Sequence, residues 1–163
     1  MSFKKLFIFQ TLIATLLMAV HINCYAQPSA DVESTMNDIV TKHEKSKGVS
    51  CVKVVRGKGL EMLKIMFNRE FGKDFMKGVT SITIIDYSDA AEDICETLRK
   101  DLDAFLSYLL EFDVSKEKQF SDNNYIRCFA SEPESNTLSD FVIALENDKS
   151  KMVMYMAGKI QVE

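Results

Sequence analysis

Hydrophobic positions are densest toward the C-terminal end of the chain, in Leu138-Ser-Asp-Phe-Val-Ile-Ala-Leu145 and Met152-Val-Met-Tyr-Met-Ala-Gly-Lys-Ile-Gln-Val162, with a polar break from Glu146 to Lys151. Two apolar runs of strand length around a charged loop predict a β-hairpin. Both runs are apolar on successive residues, so both faces of each strand need cover, which is the pattern of central strands rather than an edge.

The upstream chain reads as the surroundings of this hairpin. Val32, Met36, Ile39, Val40 and His43 recur at helical spacing and predict a helix over 28–47, with Pro28 suited to its start and Gly48 to the position past its end. A β-branched strand over 49–56 follows, and Gly57-Lys58-Gly59 closes it as a turn. The spacing there is not that of a phosphate-binding loop. Leu60, Leu63, Met66, Phe67, Phe71 and Phe75 predict a helix over 60–77, divided at Gly72. Val79 to Ile85 is a second strand. A long helix is expected from Asp89 to about Ser107, with Asp89 and Glu92 as a capping pair. Leu110 to Val114 alternates as a strand, 115–124 is a polar loop, Tyr125 to Ala130 is a strand, and Ser131 to Asn136 is a turn. The order predicts an α+β fold: one mixed, largely antiparallel β-sheet of about six strands with helices packed on one face. Early strands joined across helices are free to lie parallel through right-handed crossovers, and the late ones form a meander.

The N-terminal residues change the picture of where the chain works. Lys4 and Lys5 precede an apolar run from Leu6 to Val20, and small residues flank a cut after Ala26, the pattern of a secretory signal peptide over 1–26. A lipid on Cys24 is the alternative reading, although His21 and Asn23 fit such a signal poorly. Either way the expected destination is the periplasm or outer envelope, with membrane contact only through the signal or that lipid. Residues 27–163 then form a single domain, with 18 basic against 24 acidic side chains, a net charge of -6. No basic stripe speaks for nucleic acid. With 11 Phe, 9 Met and no Trp in the whole chain, Phe and Met must supply much of the core volume.

Candidate chemistry is sparse. Cys51, Cys95 and Cys128 remain after cleavage, and His43 is the one histidine left to serve a thiol as base. Met152, Met154 and Met156 share one strand face and could serve a soft metal, but inside apolar runs they read as core. Asp86, Asp89, Glu92 and Asp93 lack the spacing of a calcium loop and read as helix capping. Hydrolase motifs are absent, so neither a catalytic set nor a cofactor is expected. Tyr125, Arg127 and Phe129 share one strand face and are the candidate partner-binding residues, since aromatic and Arg side chains suit interface centres.

Several stretches carry a family resemblance: Val-Ser-Cys-Val-Lys-Val over 49–54, Ser-Ile-Thr-Ile-Ile-Asp-Tyr over 81–87, Leu-Arg-Lys-Asp-Leu over 98–102, and the closing strand-Gly-Lys-Ile around Gly158 and Ile160. Over most of residues 30–163 the chain resembles domain of unknown function 4252, a family of small exported bacterial proteins that are often lipoproteins. The resemblance implies export and carries over no catalytic motif. The expectation is a cell-envelope protein acting as a non-catalytic binding module toward an envelope protein or small ligand. The alternative is a metal-handling protein or thiol-dependent enzyme using Cys51, Cys95, Cys128 or His43.

Overall fold

The computed structural model describes residues 31–71, 73–112, 125–134 and 137–161. The signal segment, Cys24, Pro28, Gly72, the 115–124 loop and Val162 lie outside them. In chain order the elements are α1 (Val32–His43), β1 (Ser50–Val55), α2 (Lys58–Phe71), β2 (Gly78–Asp86), α3 (Glu92–Leu106), β3 (Leu110–Phe112), β4 (Tyr125–Glu134), β5 (Thr137–Asn147) and β6 (Ser150–Gln161). The strands form one sheet in the order β1-β2-β6-β5-β4-β3, and every neighbouring pair is antiparallel. The β5–β6 hairpin stands in the middle, as its two-sided apolar pattern requires. Its turn is shorter than expected, because Asn147 Oδ1 accepts from the Lys149 and Ser150 N–H groups at 2.9 and 2.8 Å and lets both strands run on to the turn.

Alternate side chains of the hairpin serve two separate clusters. Phe141, Ile143, Met152, Met154 and Met156 pack with Leu60 and Phe67 of α2 and with Phe75 and Met76 just after it. Val142, Val153, Tyr155 and Ala157 pack on the opposite face with Met36 and Ile39 of α1 and Leu98, Leu102 and Phe105 of α3. The fold is the expected α+β sheet, but helices cover both faces rather than one. Burying one large apolar side chain is worth about 1.5–3 kcal/mol, so neither face of β5 or β6 could be left to water.

The early strands differ from expectation in direction. β1 and β2 pair antiparallel, Ser50 opposite Asp86 and Val55 opposite Ser81. The link between them goes out along α2 and doubles back: the Met76 N–H donates to Asn68 Oδ1 at 2.7 Å, and the Gln161 N–H donates to Phe75 O at 3.1 Å. A connection that returns to the end it left must deliver β2 antiparallel to β1.

Helix starts follow side-chain chemistry. Asp31 caps α1 by accepting from the Ser34 N–H at 3.1 Å. α3 starts three residues later than expected, behind Ala91, and has no side-chain cap. Glu92, half of the predicted capping pair, is instead held by Arg99 at 2.7 Å and Lys151 at 3.3 Å. The turn before the helix is made by Asp86, whose Oδ1 accepts from the Ser88 N–H and hydroxyl at 3.1 and 2.6 Å.

Two irregularities let the long strands twist. Asp140 sits at a β5 bulge with φ 50°. Its carboxylate is fixed by the Tyr155 hydroxyl at 2.8 Å and the Ser131 hydroxyl at 3.1 Å. Gly158 on β6 has φ 96°, and a Cβ there would run into the Gly78 carbonyl of β2. Gly158→Ala is therefore expected to lower unfolding free energy in urea by at least about 1–3 kcal/mol, the cost of left-handed strain alone.

Candidate functional site

A half-open cleft of about 160 Å³ lies where α3 crosses β5 and β6. Its apolar part is Leu102, Leu106, Ala144, Leu145 and Val153, and its polar part is Tyr87, Arg99, Asp103, Arg127 and Glu146. Leu102 and Leu106, like Arg99 and Asp103, are four apart and so share a side of the helix. Antiparallel pairing of β4 with β5 sets Arg127 opposite Ala144 and brings the far wall into place.

Both guanidiniums are already anchored. Arg99 donates from Nε to Glu146 Oε1 at 2.8 Å and from its other arm to Glu92 Oε1 at 2.7 Å. These carboxylates raise its affinity for the proton further. Arg127 forks onto Glu111 at 2.7 and 3.0 Å, lies 3.5 Å from Asp103, and stacks 4.7 Å above the Phe129 ring centroid. The wall is therefore charged, with four carboxylates around two guanidiniums. Tyr87 is 3% exposed, and its hydroxyl makes no hydrogen bond among the described residues. Burial, then the Glu146 carboxylate, push that hydroxyl well above the usual tyrosine range, so it stays a protonated donor.

The predicted partner-binding residues divide. Arg127 lines the cleft. Phe129 is 2% exposed beneath it, among the side chains that α3 covers, and so offers nothing to a partner. The face expected to be wet is covered because α3 packs on it. Tyr125 pairs with Glu146 through the backbone, and its side chain lies outside the described ones. Tyr87, Arg99 and Glu146 escaped the sequence reading. The four-residue spacing of Arg99 and Asp103 was visible, but nothing linked it to Glu146, 47 positions away.

The rival set of thiols and His43 is not drawn together as a reactive centre. His43 is 4% exposed and sits with Nε2 2.6 Å from Asp101 Oδ2, where Lys42 also binds, tying α1 to α3. All three cysteines are free. Cys128 is buried in the α2-side cluster and Cys95 in the opposite one. Lys151 Nζ lies 3.5 Å from Cys95 Sγ, which also contacts the carbonyls of Tyr87 and Ala90. Met152, Met154 and Met156 are core. No group of three or more metal-binding His, Cys, Asp or Glu side chains converges among the described residues.

No protein-family model, curated protein or solved structure matches the chain.

Burial separates the thiols. Cys51 alone is partly open, with its pKa raised by burial and then by Glu44. Iodoacetamide followed by mass spectrometry should label Cys51 slowly in the native protein, and Cys95 and Cys128 only after unfolding. Asp101 carries the pH dependence of the α1–α3 tie. Partial burial alone would raise its carboxyl, but the hydrogen bonds from Lys42 and His43 outweigh this and hold it below the ordinary range. A depressed folded-state pKa contributes stability above the unfolded value of 3.8 that is lost as pH falls through the folded one. The Tm gap between the native chain and Asp101→Asn should therefore be wide at neutral pH and close below about pH 4.

Proposed function

We propose that the chain is an exported, non-catalytic binding protein of the cell envelope, in keeping with the family it resembles, and that it takes a small amphipathic molecule in the cleft between α3 and β5. The observation that carries this reading is the Tyr87 hydroxyl: on a largely buried ring, open to the cleft, without a protein partner among the described residues, and set against an apolar floor. A hydroxyl donor that opens into an apolar cleft without a protein acceptor is placed to donate to an acceptor brought by a ligand. A cavity near 150 Å³ accepts a benzene-sized group. The guanidinium–carboxylate pairs form a polar rim in which four carboxylates meet two guanidiniums, which suits an uncharged or zwitterionic head over an anionic one.

Binding is favoured over catalysis by the same groups. The tyrosine is held protonated, both arginines are occupied by carboxylates, and the cleft's own carboxylates, Asp103 and Glu146, lie against those guanidiniums. One observation speaks for the thiol-dependent alternative: the Lys151 ammonium lies beside the Cys95 sulfur in the first turn of α3. Against it, Cys95 is 0% exposed, so a substrate would have no route to the sulfur.

Benzamide, a single ring with one acceptor, is a suitable probe. Titrated into the purified protein, it should shift the amide resonances of Tyr87, Ala144 and Val153 by NMR. Tyr87→Phe should weaken binding about 3- to 10-fold, the worth of one neutral hydrogen bond, and Ala144→Phe should abolish it by filling the floor. Shifts scattered over the surface, or unchanged by both substitutions, would count against the cleft.

A further inference from the structure

Charge is unevenly divided across the sheet. Residues 54–77, which hold α2, carry six lysines and arginines against Glu61, Glu70 and Asp74, a net of +3. Residues 78–112, which hold α3 on the opposite face, carry eight acids against Arg99 and Lys100, a net of -6. An overall acidic protein thus has one basic side.

The same side carries three of the five exposed large hydrophobic side chains among the described residues, Val52, Met62 and Ile65. α2 buries Leu60 and Phe67, so its outward stripe is Lys58, Met62, Ile65 and Arg69, spaced four, three and four. Met62 and Ile65 are 65% and 69% exposed, the most open of the large hydrophobic side chains among the described residues. Val52 on edge strand β1 is 46% exposed, and its neighbour Val54 two positions on packs into the α2-side cluster, so Val52 extends the apolar surface on that side. Lys58 and Arg69, which bracket the pair, make no ion pair among the described residues. Of the other cations of the segment, Lys64 pairs with Glu61 and Lys77 with Asp74, each at 3.6 Å.

We infer that the α2 side of the molecule docks on an anionic lipid bilayer, with Met62 and Ile65 entering the interface and Lys58, Arg69 and the flanking Arg56 meeting lipid phosphates. Charge complementarity selects the partner, and the apolar centre of the stripe selects lipid over nucleic acid, whose backbone would want cations and stacking rings there. The helix rests on the bilayer rather than crossing it. Its 14 residues rise about 21 Å, less than the roughly 30 Å of a hydrocarbon core, and no helix among the described residues is long and apolar enough to span. Each basic side chain near an anionic surface strengthens adsorption about fivefold, so the contact is reversible and salt-sensitive. This surface is separate from the cleft and does not depend on it.

The chain has no Trp, so Ile65→Trp makes a single reporter at an exposed position. With vesicles of phosphatidylglycerol and phosphatidylethanolamine its emission should shift to the blue and be quenched by brominated acyl chains. Phosphatidylcholine vesicles should leave it unchanged, and 0.5 M salt should reverse the effect. Tyr108→Trp, at an exposed site past α3, should not respond to either. Adding Lys58→Glu and Arg69→Glu to the reporter should weaken partition at least tenfold. No shift on anionic vesicles, an equal shift at both reporter sites, or a lipid-independent shift that grows with protein concentration would overturn the inference. The last result would assign the face to a second copy, whose acidic α3 side it would fit.

Discussion

The architecture depends on one constraint: β5 and β6 are apolar on both faces, so the sheet has to be roofed twice. Met152, Met154 and Met156 look one way while Val153, Tyr155 and Ala157 look the other, and all six are almost fully buried. From this follow the central place of the hairpin, the division of the helices, and a sandwich of two apolar layers with the sheet between them. Polar anchors are added where the layers need fixing. The Tyr155 hydroxyl on Asp140 stabilises the bulge, and the Lys42–His43–Asp101 group joins the two helices on one roof.

That layering also sorts function by side. The α1–α3 roof leaves a cleft where the helix crosses β5, and its polar groups come from α3, β4, β5 and the end of β2. The α2 roof is short and leaves its own outer stripe bare. Charge follows the same division, basic beyond α2 and acidic beyond α3, so a molecule adsorbed through one side would present the other to its surroundings. A ligand site and a docking side on opposite faces would then not compete.

Much of this could be read in the residues, because alternation and helical spacing are local signals. The centrality of Leu138–Leu145 and Met152–Ala157 was legible because a strand apolar on both sides cannot be an edge. What was not legible depends on the third dimension. That β2 returns antiparallel to β1 goes with the reversal through Asn68 and Met76, a contact invisible in the periodicity. The start of α3 was misjudged because Glu92 is drawn to Arg99 and Lys151, the latter 59 residues away. Phe129 reads as available because it shares a strand face with Tyr125 and Arg127, whereas α3 covers the face to which it points. The basic side was missed for another reason: net charge was weighed over the whole domain, and it is the division by segment that carries the information.

Native-state hydrogen exchange followed residue by residue tests the central claim most directly. If the two-roofed hairpin is the spine, the amides of β5 and β6 exchange only through global unfolding, at one shared free energy that rises and falls together with the protection of β2 between them and β1. The edge strands β1 and β3 then open more readily. The account is contradicted if β5 and β6 exchange as fast as those edges, or if the two apolar layers open as independent units.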